Sequence, residues 1–366
     1  MYNIMQKYTK KNEMPNFYLF FFVPSQKFLL ERRMRHTFII VACWLGLTVQ
    51  AQETKPEIKA KVNKQVCFPE TVPPGNFSGI TWLGGNEYAV VSDKSRSDGF
   101  FIFHINIDPD TGVISHAYSN EFRSADRPNR DMEGITYNAK DSTIYISGEA
   151  DNRIMEYRLD NGQRTGRQFD IPDSLMLSNP NYGFESLTYN ANTHRYWTVS
   201  ESTLPIDGTP ASPSNKTRNK LRLLSFDENL KLVAQYNYEM DLPELKSTTA
   251  QNYCIGVSEL CALDDGRVLV LERELYAPSL KLGSFVNCKL YVVDPADNAP
   301  IAPLEKRLVT KFKTSMTGLK NNFANYEGMC LGPRLNDGRQ VLIMICDSQN
   351  QHRGVLKDWL QTIILE

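Results

Sequence analysis

The chain has 366 residues, a formal net charge of −1 and 41 % hydrophobic residues. That composition is globular and excludes a disordered or membrane-embedded chain. Balanced charge without a long basic tract gives no support for nucleic-acid binding.

In chain order, the first segments lie outside the fold. Residues 1–33 read as an upstream extension, with Met34 the expected start of translation. From Met34, MRHTFIIVACWLGLTVQAQE carries a short basic start, an apolar run from Phe38 to Val49 and a small residue, Ala51, ahead of polar sequence. These are the three parts of a secretory signal peptide over 34–51, cleaved after Ala51. The alternatives are a long n-region, or an anchor made together with the apolar patch FYLFFFV at 17–23. The run is about a dozen residues, short for a bilayer, so no stable span is expected after cleavage. The expected location is the periplasm or the medium. Cleavage leaves six cysteines, Cys67, Cys254, Cys261, Cys288, Cys330 and Cys346. An even number in an exported chain permits disulfides, but several sit in apolar runs where cysteine acts as a small hydrophobe. The absence of any CxxC spacing argues against structural zinc.

From residue 58 the chain reads as strands. IKAKVNKQVCF (58–68) is one. A hairpin then recurs five times: FSGITWLGGNEYAVVSD (77–93), MEGITYNAKDSTIYISGE (132–149), FESLTYNANTHRYWTVSE (184–201), VSELCALDDGRVLVLER (257–273) and YEGMCLGPRLNDGRQVLIMICD (326–347). Each has a short strand, a turn rich in Gly, Asn and Asp, and a more apolar strand. Further strand pairs lie between them, as in GFFIFHINIDPDTGVISHAYSNEF (99–122), whereas LPIDGTPASPSNKT (204–217) reads as a surface loop. No long helical period appears. Repeated four-stranded units are the sequence signature of an all-β β-propeller. The domain is expected over 58–366 with five or six four-stranded blades, since the 202–256 interval could hide a sixth. The last unit is short, and strand 58–68 is expected to complete it.

In a propeller the first strand of each blade lines the channel and the second returns antiparallel, so acids at both ends of the hairpin reach one rim. The pairs are Glu133 with Glu149, Glu185 with Glu201, and Glu327 with Asp347. The first copy has Asp93 with Ser78, and the fourth has Glu272 with Glu259 one place late. Crowded carboxylates repel one another, and a hard divalent cation suits such a ring. Asp93, Glu133, Glu149, Glu185, Glu201, Glu272, Glu327 and Asp347 are therefore the candidate metal ligands, with calcium the expected ion. Lys94, Arg130, Arg153, Arg273 and Arg353 fall near the same rim and are the candidate contacts for an anionic substrate. The other reading of each acid is a backbone cap spread by duplication. Scattered histidines without HxxxH or HExxH spacing, and the absence of GxSxG, give no support to a histidine metal site or a serine-hydrolase elbow.

RDMEGITY (130–137), YGFESLTYN (182–190), IGVSELCALDDGRVLVLERE (255–274) and NYEGMCLGPRLNDGRQVLIMICDSQN (325–350) give the chain a resemblance to exported bacterial proteins with a phytase-like ("esterase-like activity of phytase") domain. The resemblance runs from about residue 70 to the end. It implies a β-propeller, an extracytoplasmic location and hydrolysis of phosphate monoesters or other esters. One departure is Ser186, where the family reads glycine after the glutamate. The expected protein is thus a monomeric hydrolase of a small anionic ester. The alternative is a non-catalytic propeller that binds a glycan, a peptide or an envelope protein.

Overall fold

The computed structural model describes residues 55–366 except 177–182, 246–251, 279–281, 298–301, 319–320 and the side chain of Arg353. The expected upstream extension and signal peptide lie outside the described residues, as does the side chain of Arg353. After β1 (Ala60–Val62), blade 1 holds β2 (Phe77–Gly84), β3 (Glu87–Ser92), β4 (Gly99–Ile107) and β5 (Ile114–Ser124). Blade 2 holds β6 (Met132–Asn138), β7 (Thr143–Gly148), β8 (Arg153–Arg158) and β9 (Arg164–Gln168). Blade 3 holds β10 (Thr188–Asn190), β11 (Arg195–Thr198), β12 (Lys220–Phe226) and β13 (Leu232–Glu239). Blade 4 holds β14 (Tyr253–Ala262), β15 (Val268–Tyr276), β16 (Phe285–Val293) and β17 (Lys306–Ser315). Blade 5 takes β18 (Asn325–Arg334), β19 (Gln340–Asp347) and β20 (Leu360–Leu365), and its fourth strand is β1.

Every pairing within a blade is antiparallel, and the first strands meet in the cycle β2, β6, β10, β14, β18 and back to β2. The blades therefore number five. The 202–256 interval supplies β12 and β13, the outer half of blade 3, rather than a sixth blade. The ring closes as the sequence predicts: Ala60 lies opposite Leu365, Val62 opposite Ile363, and Val66 bridges Leu360. All twenty strands lie in the compact unit Glu57–Glu366.

Five clusters of buried side chains fill the five gaps between neighbouring blades, one each. A strand held between two blades buries both faces, so β7 (TIYISG) is buried throughout although its side chains alternate in direction. The outermost strands lose this cover, and β9 (RTGRQ) is exposed at all but its first residue. The six cysteines of the described chain carry free thiols, four of them buried in these clusters or beside the channel. Among the described residues, no helix is long and apolar enough to cross a membrane.

Candidate functional site

The register of β2, β6, β14 and β18 shifts just inside the strand, between Phe77/Gly79, Met132/Ile135, Val257/Glu259 and Tyr326/Gly328. A bulge of this kind bends the strand and re-aims the side chain it carries. The residue at that point is Ser78, Glu133, Ser258 or Glu327, and in blade 3 it is Glu185, next to the Phe184–Ser200 bridge. At the exits of the second strands, Glu149 donates its N–H to the Asp131 carbonyl at 2.8 Å, Glu201 to Gly183 at 3.0 Å and Asp93 to Asn76 at 3.2 Å. Asp347 lies opposite Asn325 and Arg273 opposite Gly256. One rim therefore collects an inner set of three glutamates and two serines. Its outer set is Asp93, Glu149, Glu201, Arg273 and Asp347.

One carboxylate oxygen from each of Glu133, Glu149 and Glu185 lies within 4.8 Å of the other two. Glu133 and Glu185 are each 7 % exposed. Neither carboxylate has a hydrogen bond or ion pair among the described residues. Burial, then Glu185, Glu327, Asp93 and Glu149, pushes the Glu133 carboxyl well above the usual range. Burial, then Glu201, Glu327 and Glu149, does the same to Glu185. Burial also raises Asp93 and Glu149. It lifts Asp347 to about 7, and Glu327 to about 8 against the pull of Arg273. These groups cannot all ionise together in so dry a place unless positive charge joins them.

Arg273 supplies part of that charge. Its Nη2 donates to Glu201, and its Nη1 to Glu327 and, at 3.0 Å, to Asn325 Oδ1. Asn325 in turn donates to Glu327 at 2.7 Å, and the Cys254 thiol donates to Glu201 at 2.9 Å. Arg273 is buried, and its guanidinium is committed to these carboxylates. Lys94 also reaches this rim, with Nζ 2.9 Å from both Asp93 and Asp131, and its side chain is 61 % exposed.

The structure does not bring three of the predicted residues into the cluster. Glu272 sits opposite Val257, one place before the exit, and points between blades 3 and 4. There it accepts from Tyr238 Oη at 2.7 Å and Lys306 Nζ at 2.5 Å. Arg130 is buried behind the rim, donating to Asp151 at 2.8 Å, Tyr157 Oη at 2.9 Å and the Arg153 carbonyl at 2.6 Å. Arg153 extends along the blade to Gln168 at 3.2 Å. Neither guanidinium is placed to grip a substrate at the channel.

Glu259 explains the irregular fourth copy. It occupies the place that Gly79, Gly134, Ser186 and Gly328 hold in the other first strands, where neighbouring backbones approach closely. A Cβ on Gly134 would lie 2.6 Å from Leu187 N, and one on Gly79 would lie 2.3 Å from the Glu133 carbonyl. The fully buried Glu259 carboxyl fills the corresponding space, accepting from Leu187 N at 3.1 Å and Leu260 N at 2.9 Å. Burial raises it well above the usual range, which keeps it neutral. It ties blade 3 to blade 4 and is not a member of the open cluster.

The donor set suits a hard cation. All its ligand atoms are carboxylate oxygens, as calcium or magnesium prefers, with no histidine or thiolate to favour zinc. Two buried acids without partners are the groups such an ion would satisfy.

The phytase-like family model, described as the esterase-like activity of phytase, matches residues 72–349, more than half of the chain. The chain belongs to this family. No curated protein matches it in sequence. Among solved structures, it is similar to a luciferin-regenerating enzyme at 9 % identity and TM-score 0.42, covering 82 % of this chain and 94 % of that one. It is also similar to the PQQ-bound aldose sugar dehydrogenase of Streptomyces coelicolor, at 12 % identity and TM-score 0.41, covering 85 % and 99 %. The PQQ domain of pyranose dehydrogenase from Coprinopsis cinerea gives 12 % identity and TM-score 0.41, covering 84 % and 98 %. Likeness this distant carries no argument about activity, and the fold assignment rests on the sheet topology of the phytase-like chain itself.

Proposed function

We propose that this member of the phytase-like family is an exported hydrolase of phosphate monoesters, acting at the carboxylate rim of the channel with a divalent cation, calcium being the expected one. Carboxylic esters are the other substrate class the family's description admits. The observation that carries the reading is the convergence of Glu133, Glu149 and Glu185, with Glu133 and Glu185 buried and unpartnered. These three would hold the ion, beside Asp93, Glu327 and Asp347. When bound, the ion supplies positive charge that lets the acids ionise, and Lewis-acid polarisation of a phosphoryl oxygen and of water.

The chain's own residues have separable parts. Arg273 fixes Glu201 and Glu327 in place, and Lys94 offers an ammonium with solvent access to an arriving anion. Glu327 and Asp347, held by burial at about 8 and about 7 without the ion, are among the acids whose charge the bound ion would change. The signal-peptide pattern at 34–51 supports the export part of the proposal.

The test is phosphate release from 4-nitrophenyl phosphate, run beside 4-nitrophenyl acetate, with calcium and with chelator. Calcium-dependent phosphate release, lowered by roughly a hundredfold or more in Glu133→Gln and Glu185→Gln, is expected. Hydrolysis of the acetate alone, indifferent to calcium, would put different chemistry on the same scaffold. No turnover by a folded protein would favour the propeller as a binding module.

A further inference from the structure

A cavity of 590 Å³ opens between blades 4 and 5 at the same end of the channel. The volume falls in the range of about 300–1,000 Å³ usual for small-molecule sites. Three of its lining residues also belong to the carboxylate rim: Asp347 itself, Asn325, which bonds Glu327 at 2.7 Å, and Cys254, which bonds Glu201 at 2.9 Å. The remaining lining sets the apolar Leu275, Met316, Phe323, Val355 and Leu356 beside a few polar groups, Gln349 and His352 among them. Among the described lining residues there is no lysine or arginine. The Cys254 thiol donates to Glu201 and so faces the rim.

From this juxtaposition we infer that the cavity receives the alcohol part of the ester, and that the preferred substrate carries a single phosphate on an uncharged, apolar, ring-sized group. The inference rests on the hydrolase reading above. A polyphosphorylated sugar fits poorly, since Leu275, Met316, Phe323, Val355 and Leu356 would take its further charged phosphates out of water. An apolar group gains by leaving water for the Leu, Met and Phe wall while its phosphate remains at the carboxylate rim.

The test compares 2-naphthyl phosphate, methyl phosphate and phytate as substrates of the full-length protein in calcium. In parallel, binding of 1-naphthylmethylphosphonate, whose carbon–phosphorus bond resists hydrolysis, is measured by calorimetry. Two variants fill the cavity from its mouth, Val355→Trp and Leu356→Trp. The naphthyl ester is expected to exceed methyl phosphate in kcat/KM by at least about tenfold, an effect of the size one apolar pocket supports. Both variants should remove that advantage and weaken phosphonate binding while leaving methyl phosphate turnover unchanged. If no ester is hydrolysed but the phosphonate binds and both variants block it, the hydrolase reading fails and the pocket assignment stands. Equal turnover of all monoesters, a preference for phytate, or phosphonate binding indifferent to both tryptophans would overturn the assignment.

Discussion

Arg273 donates to Glu201 through one Nη and to Glu327 through the other, so a single guanidinium joins the exit acid of blade 3 to the first-strand acid of blade 5. It stands on β15 opposite Gly256, at the repeat position that Asp93, Glu149, Glu201 and Asp347 take in the other blades. One position in a repeat of acids has thus become the base that holds two of the others apart.

Replacing it should be costly. Arg273→Gln leaves Glu201 and Glu327 buried without their partner, and losing one side of a buried ion pair costs about 3–5 kcal/mol. Urea denaturation in chelator should show a loss of that size, partly restored by calcium. A change below about 1 kcal/mol would mean that the pair behaves as an exposed one.

Glu133→Gln and Glu185→Gln should act in opposite directions with and without the ion. Each substitution removes a crowded, unpartnered acid, so the cation-free protein should melt at a higher temperature than the wild type. In millimolar calcium the order should invert, because the wild type gains from binding and the variants lose a ligand. Melting curves in chelator and in calcium check both signs. Lower melting temperatures for the variants in both conditions would point to a purely structural role.

Stability without the cation should fall as pH rises. Glu327 and Asp347 keep protons up to about 8 and about 7 in the folded chain, whereas in the unfolded chain they release them near 4. The folded state binds more protons across that interval, so its advantage is full below about pH 4 and is lost through pH 7 to 8. Denaturation midpoints between pH 5 and 8.5 in chelator should decline, and calcium should flatten the slope. A midpoint that rises with pH would contradict the burial of these acids.

Glu259 should tolerate amidation but not truncation. Burial holds its carboxyl in the neutral form, so Glu259→Gln should cost less than about 1 kcal/mol. Glu259→Ala leaves Leu187 N and Leu260 N without their acceptor and opens a void, for about 2–4 kcal/mol. Equal losses for the two variants in urea titrations would show that the acid is ionised.

The five hairpins were legible because turn chemistry and apolar strand runs are local signals, and β1 was legible because the fifth unit visibly lacked a strand. The blade count was not, since the 202–256 interval hides two ordinary strands behind a proline-rich loop. Glu133, Glu149 and Glu185 could be read as one set from their repeated place in the hairpin. Glu272 lies one residue short of the repeat position, which the register of β14 and β15 gives to Arg273. Aligning Val257 with Tyr326 would have put Ser258 at the bulge and Arg273 at the exit. Arg130 and Arg153 could not be sorted from sequence, because nearness to a rim does not say which side of the strand a guanidinium takes.

The seam between β1 and β20 bears on when the site comes into being. Asn63 bonds Thr362 at 3.0 Å across 299 positions, a contact whose loop-closure cost at that separation slows folding. Until it forms, the fifth blade lacks its outer edge and the circle of blades can remain open. Glu327 on blade 5 joins Glu133, Glu149 and Glu185 of blades 2 and 3 around one axis only when that circle is complete. A chain still emerging from the ribosome therefore offers the ion only the ligands of blades 2 and 3, without Glu327 and Asp347. Ion capture would act as a latch on the finished ring, and withholding calcium during refolding should slow the last phase more than the first.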